Sequence, residues 1–519
     1  MADRLVIWLQ RTKKGTPQIL LKEPDHLPDA DLAVDLSLDP SKLALLEQMK
    51  TGPWSPNLVE QVGTALCESL KQQPAIQTDF ATRLTLTGPV EAPIYLWLDP
   101  PEVDDWPWEA LSDPGAGFLA LERRWPIARV KRVNAPTIKS EYMFLPPLRI
   151  LAVLGASGSD PLTKISAAEE WRELYEAVRK SSLNVELQVY VCEDELLKAI
   201  TDLKEPWITV GFLEGDRELF DRIKQFKPQL LHFFCHGKAE TPPFLQIGTR
   251  LDWKRGEEGG INIEASQLRD RADPDQNVWL VTLNCCESAQ AAGTNGSSRS
   301  RPMASSLVLS GFPAVVGMRQ RVESEHAHCF CGLWYETLLR ELKTGLEKEP
   351  ATPFHWAIGL FEARQGICSK VEKVPPTHSA RRHVEWTIPV IYTRYQPFTI
   401  RLAKDPAHPL VRPMPPPAPV PAPGAAAAPP VAAAVPVPAP PAAPPPTAPP
   451  AAAPAAAAPI APVKPSLSID EKMRLISEMQ GLLNAKDKLA AQDNIPPAVR
   501  KSVLDEIDTK LASIEAQLT

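Results

Sequence analysis

From Leu148 onward, apolar residues come in short runs closed by small or polar residues, and between the runs they recur at three- and four-residue spacing. Leu148-Arg-Ile-Leu-Ala-Val-Leu-Gly155 reads as a buried strand running into the polar loop Ala156-Ser-Gly-Ser-Asp160-Pro161. Ser166-Ala-Ala-Glu169 has the form of a capping box and predicts a helix to about Lys180. Val185 to Val191 alternates as a strand, and Asp194 to Leu203 predicts its return helix. Two more runs are too short for helices and end in reactive residues: Gln229-Leu-Leu-His-Phe-Phe-Cys-His236-Gly237 and Val278-Trp-Leu-Val-Thr-Leu-Asn284-Cys285-Cys286-Glu287-Ser288. Between them, the polar stretch Glu240 to Ile263, with Gly256, Gly259 and Gly260, predicts a hairpin beside a cleft. Strand and helix in alternation is the sequence form of a parallel α/β sheet.

The flanks read differently. Residues 1–140 carry the apolar runs Leu5-Val-Ile-Trp-Leu and Ala92 to Leu98 around a predicted helix at Pro56 to Gln72, an N-terminal α+β unit packed on the main sheet. Its stretch Asp104-Asp105-Trp106-Pro107-Trp108-Glu109 offers either a binding surface or two tryptophans used in packing, and packing is favoured. The main unit covers 141–405, and 406–465 is a linker in which Pro413 to Pro465 is almost entirely proline and alanine. That composition favours extended polyproline II and a semi-rigid spacer. Residues 466–519 recover a helical pattern, Ile476, Met479, Leu482 and Leu483 and then Val499, Val503, Ile507, Leu511, Ile514 and Leu518. A helical hairpin this small buries little core, so it is expected to complete itself against an activating partner or another copy of the chain.

With 519 residues and a net charge of −7, the chain is long enough for two or three domains and has no basic excess pointing to nucleic acid. No signal-peptide pattern opens it, and no apolar run approaches a membrane span of roughly 20 residues. The cysteines at 67, 192, 235, 285, 286, 329, 331 and 368 follow no disulfide framework; a reducing cytoplasm is expected, where a thiol stays reactive.

A histidine ending one parallel strand and a cysteine ending another face a common rim, where ligands of such sheets bind. His236 is thus a candidate base and Cys286 a candidate nucleophile, since an imidazole can take the proton of a thiol whose ordinary pKa is about 8.5. The amides of Gly237 and Cys286 are candidate donors to an oxyanion. Strand alternation lets only one of Cys285 and Cys286 face His236. On the residues alone Cys285 and Cys286 both stay open as the nucleophile, while His232 reads as a core histidine. A metal is not expected: His232, Cys235, His236, Cys285 and Cys286, and the separate group His326-Ala-His328-Cys329-Phe-Cys331, lack the tight knuckles of structural zinc sites. No cofactor is expected either, and nucleotide hydrolysis lacks its phosphate loop.

His-Phe-Phe-Cys-His236-Gly237 followed by Leu-Asn-Cys-Cys286-Glu-Ser resembles the paired signature of the CHAT branch of caspase-like cysteine peptidases, related to separases and caspases. Met303 to Met318, Phe330 to Leu339 and Trp386 to Tyr392 resemble the helix, strand, helix and closing strand that follow in that family. The resemblance runs from about Leu148 to Ile400. It implies a caspase-like, mostly parallel sheet flanked by helices and a cysteine endopeptidase acting on protein or peptide substrates through a His236/Cys286 dyad, with Cys286 chosen because it immediately precedes Glu287. It implies Asp160 and Asn284 as candidate residues of the substrate pocket. It also implies that Ala291 to Pro302, with Arg299 and Arg301, is a gating or cleaved loop, and that the enzyme serves in bacterial defence or cell death. A caspase-like scaffold that binds partners and cleaves nothing is the rival reading.

Overall fold

The computed structural model describes residues 4–11, 17–22, 33–51, 57–85, 91–133, 139–157, 167–240, 242–272, 277–286, 288–290, 301–371, 383–412 and Lys510. Residues Met1–Ala418 form one compact unit and Pro419–Thr519 another. The second contains only Lys510 of the described residues, so the expected helical hairpin and nearly all of the proline-rich linker lie outside them.

In chain order, the first part of unit one contains β1 (Leu5–Arg11), β2 (Pro17–Lys22), β3 (Val34–Asp35), α1 (Pro40–Thr51), α2 (Leu58–Leu70), α3 (Pro74–Thr85), β4 (Ile94–Leu98), α4 (Pro101–Asp104), β5 (Ser112–Asp113), β6 (Gly117–Phe118), β7 (Ile127–Lys131) and β8 (Glu141–Phe144). Then come β9 (Leu148–Leu154), α5 (Ala167–Ser181), β10 (Val185–Val191), α6 (Asp194–Asp202), β11 (Ile208–Phe212), α7 (Asp216–Phe226), β12 (Leu230–Phe234), β13 (His236–Lys238), β14 (Phe244–Ile247), α8 (Arg250–Arg255), β15 (Ile261–Glu264), α9 (Ala265–Ala272) and β16 (Leu280–Leu283). Last are α10 (Met303–Leu309), β17 (Ala314–Met318), α11 (Ser324–Glu347), α12 (Leu360–Val371), β18 (Pro389–Arg394) and β19 (Thr399–Leu402). Thus β9, β10 and α6 follow the hydropathy pattern closely, and β17 falls where the family resemblance places a strand. The edge strand β11 and helix α7 are additions that it did not predict.

Twelve strands form one sheet in the order β11-β10-β9-β12-β16-β17-β18-β7-β4-β1-β2-β3. The first six run parallel, β18 pairs antiparallel with β17, and β7, β4 and β1 run parallel to β18. The boundary expected near residue 140 therefore falls within a single sheet: the strands of the N-terminal segment extend it. The chain likewise stays tied to this unit past residue 405, because Leu410 and Ser182 carbonyls accept from the Asn184 and Arg412 amides at 2.8 and 2.9 Å.

Alternation along each buried strand sends successive side chains to opposite faces. Ile150, Ala152 and Leu154 of β9 join the core under α5 and α11, while Leu151 and Val153 join the core under α7, α9 and α10. The N-terminal segment is locked to the sheet by a buried charge cluster. Arg129 on β7, fully buried, donates to both carboxylate oxygens of Glu109 at 3.0 and 2.8 Å and to the Trp106 carbonyl at 2.9 Å. Trp108 is fully buried, its indole N–H donating to the Val103 carbonyl at 2.7 Å, so this tryptophan serves packing.

Candidate active site

The pairing of β12 with β16 sets the site. Leu230 lies opposite Leu280 and Phe233 opposite Leu283, a constant offset that carries His236 opposite Cys286 just past the ladder. The Asn284 amide continues the pairing by donating to the Phe233 carbonyl at 2.9 Å. At the next step the two tips touch: a Cβ placed on Gly237 would overlap the Cys286 carbonyl oxygen, so only glycine permits this approach.

His236 is half-buried, and its Nε2 lies 2.6 Å from the Ser157 carbonyl oxygen. A carbonyl can only accept, so Nε2 carries a proton, and in the neutral ring the lone pair then lies on Nδ1, the tautomer a base requires. Ser157 follows β9 and is held there because the Gly248 amide donates to the Gly155 carbonyl at 2.7 Å. A Cβ on Gly248 would overlap the Ser157 hydroxyl. This orienting carbonyl was not legible in the sequence, since a backbone oxygen leaves no residue signature.

Cys286 is partly exposed, with its sulfur 3.9 Å from the Val322 carbonyl. Cys285 and Cys235 are buried with sulfurs 3.4 Å apart, and burial followed by its contact with Cys235 pushes the Cys285 thiol well up. Cys285 is therefore a poor thiolate. Glu287, Asp160, Ser166, Arg299 and residues 291–300 lie outside the described residues; Arg301 is described and exposed.

Asn284 is a correction. Expected at the substrate pocket, it is 3% exposed, and its amide donates to Glu170 Oε1 at 2.7 Å and to the Ala327 carbonyl at 3.0 Å. These bonds turn it toward α5 and α11 and away from the rim. A cleft of about 430 Å³ instead borders the loop after β17. It is lined by Gln290, Arg319, Gln320, Arg321 and Glu323, with Lys50, Asp105, Glu385 and Ile388.

Glu170, in the first turn of α5, is fully buried at the centre of a polar cluster that the sequence reading missed. His328 Nδ1 donates to its Oε2 at 2.9 Å, and His232 Nε2 lies 3.0 Å from its Oε1. Burial alone would raise its pKa, but hydrogen bonds and charge from His232 and His328 outweigh this and hold the carboxyl at about 2. The helix N-terminus favours the same charged form. One signal was available: Glu170 stands in the apolar stripe Ala167, Trp171, Leu174, Ala177, Val178, where a carboxylate needs buried partners.

Glu170, His232 and Cys331 are, among the described residues, a group whose ligand atoms lie within 4.8 Å of one another and so could hold a metal ion. His232 and Cys331, read as members of separate clusters, thus meet in space. Both carboxylate oxygens of Glu170 already face nitrogen donors, Oε1 the Asn284 amide and Oε2 His328, which makes the set a hydrogen-bonded hub.

A His-Gly tip thus meets a Cys tip at the end of the parallel strands of a sheet with helices on both faces. The CHAT domain family matches residues 60–351, and the chain belongs to that family. No curated protein matches it. Among solved structures it is similar to separase from Saccharomyces cerevisiae in complex with securin, at 13% identity and TM-score 0.32, over 74% of this chain and 22% of that one. It is also similar to a chain described as a protease, at 9% identity and TM-score 0.36, over 64% and 69% of the two chains. Arg-specific cysteine proteinase gingipain R is similar at 9% identity and TM-score 0.32, over 68% and 70%. The chain spans about a fifth of the separase chain's length.

Proposed function

We propose that the protein is a cysteine endopeptidase in which His236 is the base and Cys286 the nucleophile. The observation that carries this reading is the apposition of the two strand tips, with His236 Nε2 held by the Ser157 carbonyl. Nδ1 takes the Cys286 proton, the sulfur attacks a peptide carbonyl, and the C–N bond breaks as His236 returns that proton to the leaving amine, giving a thioester acyl-enzyme; water, deprotonated by His236, then cleaves the C–S bond to release the acid and restore the thiol. The Gly237 and Cys286 amides stabilise the oxyanion. Protein or peptide substrates are expected, read by the cleft beside the loop after β17. The segment 466–519 recruits an activating partner or a second copy in this proposal, in keeping with a role in bacterial defence in the cytoplasm.

Peptide-library cleavage and labelling with an electrophilic thiol probe test the reading together. Both are expected to be lost in Cys286→Ala and kept in Cys285→Ala, and cleavage is expected to fall at least a hundredfold in His236→Ala. Full cleavage by Cys286→Ala would overturn the proposal. A wild-type chain that binds a partner yet cleaves no peptide, with or without it, would favour the scaffold reading.

A further inference from the structure

One carboxylate touches both strands that carry the proposed dyad. Glu170 Oε1 lies 3.0 Å from His232, which shares a strand face with the tip leading to His236, and accepts at 2.7 Å from Asn284, two residues before Cys286. Its Oε2 accepts from His328 on α11 at 2.9 Å. The other amide hydrogen of Asn284 goes to the Ala327 carbonyl, also on α11, at 3.0 Å. The β16 ladder ends at Leu283, and beyond it the turn bearing Cys286 is held by the Asn284 and Ala289 amides, which donate to the Phe233 and Met318 carbonyls at 2.9 and 2.8 Å, and by side chains. On one side is the Asn284 link to Glu170; on the other, Ser288 accepts from the Met318 amide at 2.9 Å.

We infer that Glu170, acting through Asn284, is a positioning residue that fixes the Cys286 turn in register with the His236 tip and ties both to α5 and α11. The inference rests on the dyad reading and adds to it a group that never meets substrate. An ionised carboxylate suits the task because it accepts from several donors at once. A neutral amide at the same place turns one of its ends into a donor facing donors.

The test uses the full chain and measures Cys286 alkylation by iodoacetamide across pH, followed by peptide hydrolysis and thermal melting. Glu170→Gln and Asn284→Ala are each expected to lower kcat and the alkylation rate at neutral pH at least tenfold. KM should stay within about twofold, and the alkylation profile should move to higher pH. The double variant should lose no more than the worse single one, because both break one link. Should Glu170→Gln fail to fold, Asn284→Ala still tests the link, since it leaves the carboxylate with its histidines. A lower melting point in Asn284→Ala with wild-type kcat and alkylation profile would overturn the inference. His236→Ala separates the two readings. If it leaves Cys286 alkylation unchanged, the dyad itself fails; if it alters the profile and Asn284→Ala does not, the dyad stands and the role of Glu170 falls.

Discussion

At the scale of single residues, two atoms without side chains shape the site: the missing Cβ of Gly237 and the carbonyl of Ser157. Replacing Gly237 by alanine drives a methyl group into the Cys286 carbonyl, so one strand tip must move. A displacement near 1 Å at a reacting group costs about a hundredfold in rate. Gly237→Ala is therefore expected to lose activity by about that factor in kcat, measured on any peptide the wild type cleaves. Glu170 gives a pH signature. Its pKa falls on folding from 4.5 to about 2, so its contribution to stability is complete above about pH 4.5 and is lost as pH drops toward 2. The gap in melting temperature between wild type and Glu170→Gln should accordingly narrow between about pH 5 and pH 3, a trend that calorimetry reads directly.

At the scale of elements, the strand tips were legible because His-Gly and Cys-Cys close runs too short and too apolar to be anything but buried strands. The role of Asn284 was not. Two residues apart, Asn284 is buried against Glu170 and Ala327 while Cys286 is partly exposed, because β16 ends at Leu283 and the two-residue alternation no longer holds beyond it. β11 escaped notice because Ile208 to Phe212 is an edge strand, only partly buried and containing Gly211, so its apolar signal is weak. The stretch Asp104 to Glu109 was open to two readings, and the buried Arg129–Glu109 pair shows what its charges do there. Glu109→Ala takes from a fully buried guanidinium the carboxylate it bonds twice, leaving only the Asp104 carboxylate at 3.5 Å, a loss of about 3 kcal/mol. It should appear as a lowered urea midpoint, with β7 and its neighbours exchanging amide hydrogens first.

At the scale of the molecule, the parallel half of the sheet could be read from alternating strands and helices, but its continuation could not. β18 and β7 are far apart in sequence, and a backbone ladder between them has no local signature. Two truncations probe this organisation. A chain ending at Arg412 keeps the bonds to Ser182 and Asn184 and should melt as the intact protein does, whereas one ending at residue 405 loses them and should melt several degrees lower. Removing residues 1–133 strips the partner strand from β18, leaving raw backbone along a hydrophobic strand, and is expected to give aggregates on size exclusion.

The same continuation decides where an outside peptide can be accepted. With β18 covered by β7, the free borders of the large sheet among the described residues are β11 and the two-residue β3. A strand added to the parallel end of the large sheet would therefore align along Ile208 to Phe212, three places from β12, whereas β13, which begins at His236, is itself an outer strand of the small sheet β13-β14-β15 and offers a border beside the chemistry.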